Sequence, residues 1–328
     1  MKRLTDPIVV ASQLERRFGE IEAVREVSFE VFEGEVFGFL GPNGAGKSTT
    51  IGMLCTLLRP TGGSATINGF DVVHDQRSVR RSIGLVFQQP TLDETLTAEH
   101  NLRFHAYAYG IRADERDEQI EMLLSMVELW DRRHDSVRDF SGGMRRRLEL
   151  ARGLLHQPRV LFLDEPTLGL DPQTRRRVWD HLTALQKSQD LTVFLTTHYM
   201  DEAENCDRIA VIDHGQIVAL DTPDRLKAKT GGDLVTLSTP LVDSAAEEIR
   251  RRYDTEPSIK EGDVRFHVPN GESFLPEFIR TFGQPLESIG VRRPTLDDVF
   301  LDLTGREIRE EKATVGRSPA SNRWGSRR

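Results

Sequence analysis

Residues 41–48 form the stretch whose residue types and spacing most clearly predict chemistry. They spell Gly-Pro-Asn-Gly-Ala-Gly-Lys-Ser, which fits the phosphate-binding pattern of a glycine, four residues and then Gly-Lys-Ser. A strand-like apolar run, Val36 to Leu40, precedes them, and a helix-like segment follows. Glycines allow successive backbone N–H groups to turn towards an anion, and the N terminus of a helix adds a positive dipole end. The stretch therefore predicts a nucleotide-binding loop rather than a plain connection.

Two side chains at the end of this loop have specific expected roles. The Lys47 ammonium is expected to reach the β and γ phosphates of a bound nucleotide, and the Ser48 hydroxyl is expected to ligate Mg²⁺. The predicted nucleotide contacts in this stretch are Gly41, Pro42, Asn43, Gly44, Ala45, Gly46, Lys47, Ser48 and Thr49.

The segments that must position this loop alternate between strand-like and helix-like patterns. Val160 to Leu163 is a continuous apolar run that ends in Asp164-Glu165. Thr192 to Thr196 is a second such run, and it ends in Thr197-His198. Continuous apolar runs are typical of strands that are buried on both faces of a parallel sheet. Their alternation with helices predicts an α/β fold with a mainly parallel sheet.

The rest of the chain divides into regions of different pattern. Apolar residues at helical spacing predict a helical subdomain at about residues 92–157, inside a first domain of residues 1–225. Alternating strand and helix patterns, with a final helix from Leu296 to Leu303, predict a small α+β domain at residues 226–305. Residues 306–328 are charged and rich in Arg, Ser and Gly, and we expect an unpacked tail. The alternative for its basic end is contact with anionic lipid.

Composition and charge restrict the class of protein. The 328 residues contain 44 basic and 52 acidic side chains, a net charge of −8, which argues against nucleic acid as a general partner. The two cysteines, Cys55 and Cys206, are expected to be buried thiols in a reducing compartment. No apolar run follows the basic pair at the N terminus, and no stretch approaches about 20 apolar residues. We therefore expect a cytosolic protein that reaches a membrane through a partner.

Five motifs in order make the chain resemble the nucleotide-binding subunits of ATP-binding cassette transporters. They are the phosphate loop, the segment at Gln88, Ser141 to Met144, Asp164-Glu165 and His198. The resemblance covers about residues 8–225. It implies a P-loop NTPase fold, in which a RecA-like core carries an antiparallel β subdomain and a helical subdomain, followed here by the small α+β C-terminal domain.

Smaller motifs resemble one branch of that family, the daunorubicin-resistance-type exporter ATPases. They are the C-terminal segment Arg293 to Phe300, the segment Gln88 to Asp93 and the three arginines that follow Met144. This resemblance implies an ATPase that powers efflux of a drug-like or lipophilic substrate.

The resemblance also implies how ATP is bound. Phe18 stands where the family usually has an aromatic residue, often Tyr, that stacks on adenine, and a phenyl ring can stack as well. Ser141, Gly142 and Gly143 form the signature motif, in which Phe140 replaces the usual Leu. In the family this motif faces the phosphate loop of a second subunit, so that two nucleotides are enclosed in a head-to-tail dimer. Asp171 ends a loop that contacts the opposite site.

Four further residues acquire catalytic or metal-binding roles from the resemblance. Glu165 is expected to be the general base that polarises the attacking water, and His198 is expected to bond the γ-phosphate and hold Glu165 and the water. Asp164 is expected to hold Mg²⁺, directly or through water. Gln88 is expected to lie near Mg²⁺ and the water, so the implied metal set is Ser48, Gln88 and Asp164. A structural role for Glu165 in a buried ion pair is the alternative.

The resemblance implies partners as well as cofactors. ATP and Mg²⁺ are the expected cofactors, and the expected partners are a second copy of the chain and two separately encoded membrane-spanning permease subunits. The protein would then lie at the cytoplasmic face of the membrane. The alternative function is that of a non-transport cassette ATPase acting on nucleic acid or ribosomes, which usually has two cassettes or long coiled insertions.

Overall fold

The computed structural model describes residues 7–305, except residues 190, 254 and 261 and the side chains of residues 187–189. The expected unpacked tail at residues 306–328, with its alternative lipid contact, lies outside the described residues.

Strands and helices alternate through most of the described chain. The strands are β1 (Pro7–Phe18), β2 (Ile21–Phe32), β3 (Val36–Leu40), β4 (Gly62–Ile67), β5 (Phe70–Asp71), β6 (Ile83–Val86), β7 (Val160–Asp164), β8 (Thr192–Thr197), β9 (Arg208–Asp213), β10 (Gln216–Asp221), β11 (Asp233–Ser238), β12 (Ser258–Lys260), β13 (Asp263–Val268) and β14 (Ser288–Arg292). The helices are α1 (Lys47–Leu54), α2 (Gln76–Ser82), α3 (Ala98–Tyr109), α4 (Ala113–Met126), α5 (Gly142–Leu154), α6 (Pro172–Gln189), α7 (Met200–Ala203), α8 (Pro223–Ala228), α9 (Val242–Tyr253), α10 (Gly271–Thr281) and α11 (Leu296–Thr304), with short 3₁₀ turns at Trp130–Arg132 and Val137–Asp139.

The central sheet has the strand order β10-β9-β3-β8-β7-β6. Strands β9, β3, β8, β7 and β6 run parallel to one another, and β10 pairs antiparallel with β9 through a tight hairpin. Every residue of β3 and β8 is buried, as the continuous apolar runs predict. Because parallel strands end at the same edge, the residues that follow β3, β7 and β8 are brought together there. The predicted α/β core is confirmed.

A second sheet, of order β2-β1-β4-β5, is antiparallel. Its Phe29 packs against Phe37, Phe39 and Phe194 of the central sheet, with ring centroids 5.6–5.8 Å apart. Strand β1 extends well beyond the short apolar run at residues 8–11 near its start. Register shifts along its pairing with β2 interrupt the alternation of apolar residues, so the sequence pattern shows less of this strand than actually forms.

The predicted helical region lies between β6 and β7 and consists of α3, α4 and α5. Apolar side chains from all three helices are buried in one core, among them Leu102, Ile120, Leu123 and Leu148. Thr97 caps α3 by accepting a hydrogen bond from the His100 N–H. This region carries the serine and glycines of Ser141 to Met144 at the start of α5.

The C-terminal part has the element order β11-α9-β12-β13-α10-β14 and the antiparallel sheet order β12-β13-β11-β14. This is a split βαβ arrangement with its own core, which includes Val235, Phe266 and Phe278. Two of its strands have weak sequence patterns, because β12 has three residues and in β14 exposed residues flank Ile289 and Val291. Helix α11 packs against α7 and α8, and its apolar face joins the core of the helical region.

Candidate functional site

The loop between β3 and α1 has the backbone that an anion site requires. Gly44 and Gly46 have φ values of 80° and 106°, in a region that favours glycine. A Cβ atom on Gly46 would lie 2.6 Å from the carbonyl oxygen of Ala23, so this position needs glycine for space as well. No side chain of the described residues caps the N terminus of α1. The first N–H groups of the helix can therefore bind an anion.

Lys47 closes the loop on itself. Its ammonium donates hydrogen bonds to the carbonyl oxygens of Gly41 at 2.8 Å and Pro42 at 3.1 Å. It also lies 3.3 Å from Oε1 of Glu165, and the Lys47 side chain is only 4% exposed. Burial lowers the pKa of Lys47, and the negative charges of Glu165 and Asp164 act in the opposite direction. A cation is thus held where the phosphate loop meets the end of β7.

Asp164 and Glu165 are neighbours in the chain but contact different groups. Oδ1 of Asp164 accepts hydrogen bonds from the hydroxyls of Ser48 at 3.1 Å and Thr196 at 2.6 Å. Glu165 has a φ of 45°, so the chain turns into the left-handed region directly after the strand. Its N–H donates to the Thr196 hydroxyl at 3.0 Å, which holds this turn.

The Glu165 carboxylate lies at the centre of the site. Oε2 accepts a hydrogen bond from Nε2 of Gln88 at 3.1 Å, and Oε1 lies 3.5 Å from Nδ1 of His198 and 3.3 Å from the Lys47 ammonium. Burial acts to raise the pKa of Glu165, but the neighbouring His198 and Lys47 lower it by more, so the net shift is downward. Glu165 is therefore a carboxylate, able to accept a proton, throughout the neutral range.

His198 completes this cluster from the end of β8. Nδ1 of its ring is buried and makes no hydrogen bond within the described residues. The 3.5 Å separation from Glu165 exceeds an ordinary hydrogen-bond length. The ring also packs on Tyr199, with centroids 4.2 Å apart. A buried, unpartnered ring nitrogen beside the phosphate loop is suited to bond a group that enters the site.

An open cleft of about 510 Å³ lies over the loop. Its lining includes Phe18, Lys47, Ser48, Gln88 and Glu165, together with Ala23, Asn43, Gly44, Gly46 and Thr49. The Phe18 side chain is 43% exposed, and the Arg16 guanidinium lies 4.4 Å from its ring centroid. An exposed ring at the entrance of a phosphate-binding cleft can stack on a nucleobase.

Ser141, Gly142, Gly143 and Asp171 do not line this cleft. The Ser141 hydroxyl caps α5 by accepting the Met144 N–H at 3.3 Å, and the Asp171 carboxylate caps α6 by accepting the Thr174 N–H at 3.0 Å. One chain thus brings together Phe18, the phosphate loop, Gln88, Asp164, Glu165 and His198, but not the signature motif.

Thr196 is a site residue that the sequence analysis did not single out. It is fully buried, and its hydroxyl connects the Asp164 carboxylate to the Glu165 N–H. The available signal was a pair of threonines at the end of an otherwise apolar strand. A buried hydroxyl in such a place requires hydrogen-bond partners.

The donor atoms near the loop fit Mg²⁺. Across the described chain no group of three or more His, Cys, Asp and Glu side chains is placed to hold a metal ion. A protein site for Mg²⁺ usually supplies one or two oxygen ligands and leaves the remainder to phosphates and water. Ser48 and Asp164 provide one hydroxyl and one carboxylate 3.1 Å apart. The Gln88 amide donates a hydrogen bond to Glu165, the residue that follows Asp164.

Comparison with known proteins identifies relatives along nearly the whole chain. The family profile described as ABC transporter matches residues 24–168. The daunorubicin resistance ATP-binding protein DrrA2 of Streptomyces coeruleorubidus is 42% identical over 93% of this chain and 97% of its own length. The doxorubicin resistance ATP-binding protein DrrA of Mycobacterium tuberculosis is 40% identical over 92% of this chain and 95% of its own. The linearmycin resistance ATP-binding protein LnrL of Bacillus subtilis is 34% identical over 92% of this chain and 99% of its own length.

Solved structures match the cassette part of the chain. The ATP-binding subunit of an ABC transporter superimposes with a TM-score of 0.62 at 31% identity, covering 68% of this chain and 93% of that structure. The cassette MJ0796, in a dimeric post-hydrolysis state bound to ADP and Pi, superimposes with a TM-score of 0.59 at 29% identity. The match covers 65% of this chain and 98% of that structure. The fold predicted from the motifs is confirmed.

Proposed function

We propose a function from the premise that the chain belongs to the ABC transporter family of ATP-binding proteins. The protein binds and hydrolyses ATP and thereby powers an exporter that moves a drug-like or lipophilic substrate through separate membrane subunits. The names of the relatives, which refer to daunorubicin, doxorubicin and linearmycin resistance, support the exporter assignment. The observation that carries the ATPase assignment is the Glu165 carboxylate, which lies among Lys47, Gln88 and His198 over the phosphate loop.

The residues of the cleft have distinct roles in hydrolysis. The loop N–H groups and Lys47 bind the β and γ phosphates, with Phe18 stacked on adenine. Glu165, ionised because its pKa is held low, accepts the proton of the attacking water. Gln88 orients that water, and the ring of His198, whose Nδ1 makes no hydrogen bond among the described residues, bonds the γ-phosphate. Phosphoryl transfer mainly requires positioned charge and an in-line water, so no covalent intermediate on the protein is needed.

Mg²⁺ would be held by Ser48, by Asp164 directly or through water, and by Gln88. It would supply positive charge to the β and γ phosphates. The protein's own contribution is the Thr196 hydroxyl, which fixes the Asp164 carboxylate beside Ser48.

The active unit is a head-to-tail homodimer. One chain leaves Ser141, Gly142, Gly143 and Asp171 outside its own cleft, and the serine and glycines at the start of α5 form a second anion-binding helix terminus. A second copy can present these groups to the bound ATP. The relative MJ0796, solved as a dimer, supports this arrangement.

The exporter assignment also places the protein. Among the described residues no helix is both long and apolar enough to cross a bilayer. The two permease subunits supply the membrane path, and the ATPase binds them peripherally at the cytoplasmic face. The proposed nucleotide-binding domain is residues 1–225, of which the structure describes residues 7–225 apart from residue 190, and the proposed C-terminal domain is residues 226–305.

The test is the Glu165→Gln variant. Since glutamine cannot accept the proton, we expect ATP turnover to fall about 10²- to 10⁴-fold while ATP binding is retained. Trapped ATP should then hold the dimer together in size-exclusion chromatography. Glu277→Gln, the same change at an exposed site of α10, serves as the control and should leave turnover unchanged. Near-normal turnover of Glu165→Gln would overturn the assignment.

A further inference from the structure

Helix α5 buries an ion pair below the catalytic cleft. The Arg146 guanidinium lies 3.0 Å from Oε2 of Glu149, and the two side chains are 7% and 1% exposed. Neither residue lines the cleft. Buried ion pairs contribute little net stability compared with apolar side chains of similar size, because both charges must be removed from water. Stability alone therefore does not explain the pair, and its role is inferred from the groups to which it is hydrogen-bonded.

Arg146 connects the two segments that carry catalytic side chains. It donates hydrogen bonds to the carbonyl oxygens of Phe87 and Pro166, each at 2.5 Å, and to that of Asp164 at 3.3 Å. Phe87 directly precedes Gln88, and Asp164 and Pro166 flank Glu165. The planar guanidinium has five donors in a fixed geometry, so it can fix all three carbonyl groups at once.

Glu149 holds the other end of the Gln88 segment. Its Oε1 accepts the backbone N–H of Thr91 at 2.8 Å. The hydroxyl of Thr91 accepts a further hydrogen bond from Arg152, also on α5. Residues 87–91 are therefore attached to one helix at both ends, and between these attachments Gln88 donates to Glu165 at 3.1 Å.

We propose that Arg146 and Glu149 are positioning residues that fix Gln88 relative to Glu165 and link this geometry to the orientation of α5. The proposal rests on the proposed function, because α5 begins at Ser141, which in the dimer faces the second ATP. Closure of the dimer over the ATP that faces Ser141 moves α5. The ion pair transmits that movement to Gln88 and Glu165 at the ATP site of its own chain. Each site thus becomes fully competent when the opposite site is occupied.

The first test compares Arg146→Gln and Glu149→Gln with the wild type in steady-state ATP hydrolysis. Misplacement of Gln88 should reduce kcat about 10- to 100-fold and leave KM within about 3-fold, since neither residue contacts ATP. Cooperativity in ATP concentration should also decrease. Arg146→Lys, which keeps the charge but cannot bond three carbonyls, gives a second variant should the first not fold.

Arg147→Gln is the matched control. Arg147 is the next residue on α5 and likewise bonds a carbonyl oxygen and a glutamate, those of Val127 at 2.7 Å and Glu128 at 3.1 Å. These partners belong to the helical region and not to the Gln88 segment. We expect its kcat to stay within about 3-fold of the wild type. An equal loss of kcat in Arg147→Gln and Arg146→Gln would overturn the proposal.

A double-mutant cycle with Gln88→Ala separates positioning from general destabilisation. If Arg146 acts through Gln88, adding Arg146→Gln to Gln88→Ala should reduce kcat by less than about 3-fold further. If the loss of kcat in the double variant equals the product of the two single losses, the inference is overturned and the ATPase assignment stays intact. Absence of ATP hydrolysis by the wild-type chain would instead contradict the proposed function, and the inference with it.

Discussion

The Glu165 backbone is held in a conformation that most residues avoid. Its φ of 45° costs on the order of 1–3 kcal/mol for a non-glycine residue and persists where surrounding contacts fix it. The Thr196 hydroxyl provides such a contact, because it bonds the Glu165 N–H and the Asp164 carboxylate together. The position of the catalytic carboxylate thus depends on a residue two positions before His198.

Thr196→Val should damage both stability and turnover. The change keeps the side-chain shape but leaves the Glu165 N–H without a partner, so we expect unfolding to require about 1–3 kcal/mol less free energy. Turnover should fall at least about 10-fold, because Glu165 is no longer fixed. Denaturant titration and ATPase assays measure the two effects.

Thr192→Val is the control for this prediction. Thr192 is also buried in β8, and its hydroxyl accepts the Gly34 N–H at the far end of the strand. It should lose similar stability but keep its turnover. Full turnover of Thr196→Val would contradict the role of the Thr196 hydroxyl in fixing Glu165.

Lys47→Ala should weaken ATP binding itself. The ammonium is held by the loop carbonyls at the place where the phosphates enter, and among the described residues Glu165 is the one charged partner within 4 Å. Loss of this charge-assisted contact should raise the Kd for ATP at least about 10-fold. Fluorescent-nucleotide binding measures it, and an unchanged Kd would contradict the phosphate-loop role.

At the scale of elements, some of the site follows directly from the sequence and some does not. The β3–loop–α1 unit was predicted because its glycines and the apolar run before them leave few alternatives. The meeting of Asp164, Glu165 and His198 was implied by the resemblance to the cassette family, and the structure achieves it because β7 and β8 are parallel and end at one edge. The contacts of α5 were not, since Arg146 and Glu149 in a basic helix resemble a solvated face until tertiary structure buries them. Periodicity records a helix but does not tell which polar side chains it buries.

Helix α11 illustrates a local contact with a measurable pH dependence. Asp298 forms a capping box with Thr295, and the Arg292 guanidinium bonds both of its oxygens. Burial acts to raise the pKa of Asp298, but Arg292 and Thr295 lower it to about 2. The folded pKa is below the unfolded value of 3.8, so this contribution is complete above about pH 5 and is lost as pH falls towards 2.

Asp298→Asn should therefore lower the free energy of unfolding by about 1–2 kcal/mol, allowing for solvent screening of this partly exposed contact. The difference from the wild type should stay constant between pH 7 and about pH 5 and decrease below that. Urea titrations at several pH values measure it. Asp302→Asn, at an exposed site of the same helix, should have no such effect. A difference that is already lost at about pH 5.5 would contradict the assigned contact.

At the scale of the whole molecule, the C-terminal part is connected to the cassette by packing as well as by the chain. Leu296, Val299 and Phe300 of α11 are buried in the same core as the helical region. The sequence predicted this helix but not its destination, because an amphipathic face does not specify the surface that covers it. The motif that resembles the daunorubicin-resistance-type branch, Arg293 to Phe300, thus contains the N-cap of this packed helix and its first residues.

The most direct test of the central claim is recovery of the Glu165→Gln protein from membranes with and without Mg-ATP. We expect that ATP is retained and that a polytopic membrane protein with several spans co-purifies with the trapped dimer. Such a result would join the ATPase site to an export path. Recovery of ribosomes or DNA, with no membrane protein, would contradict the transport claim while leaving the ATPase site in place.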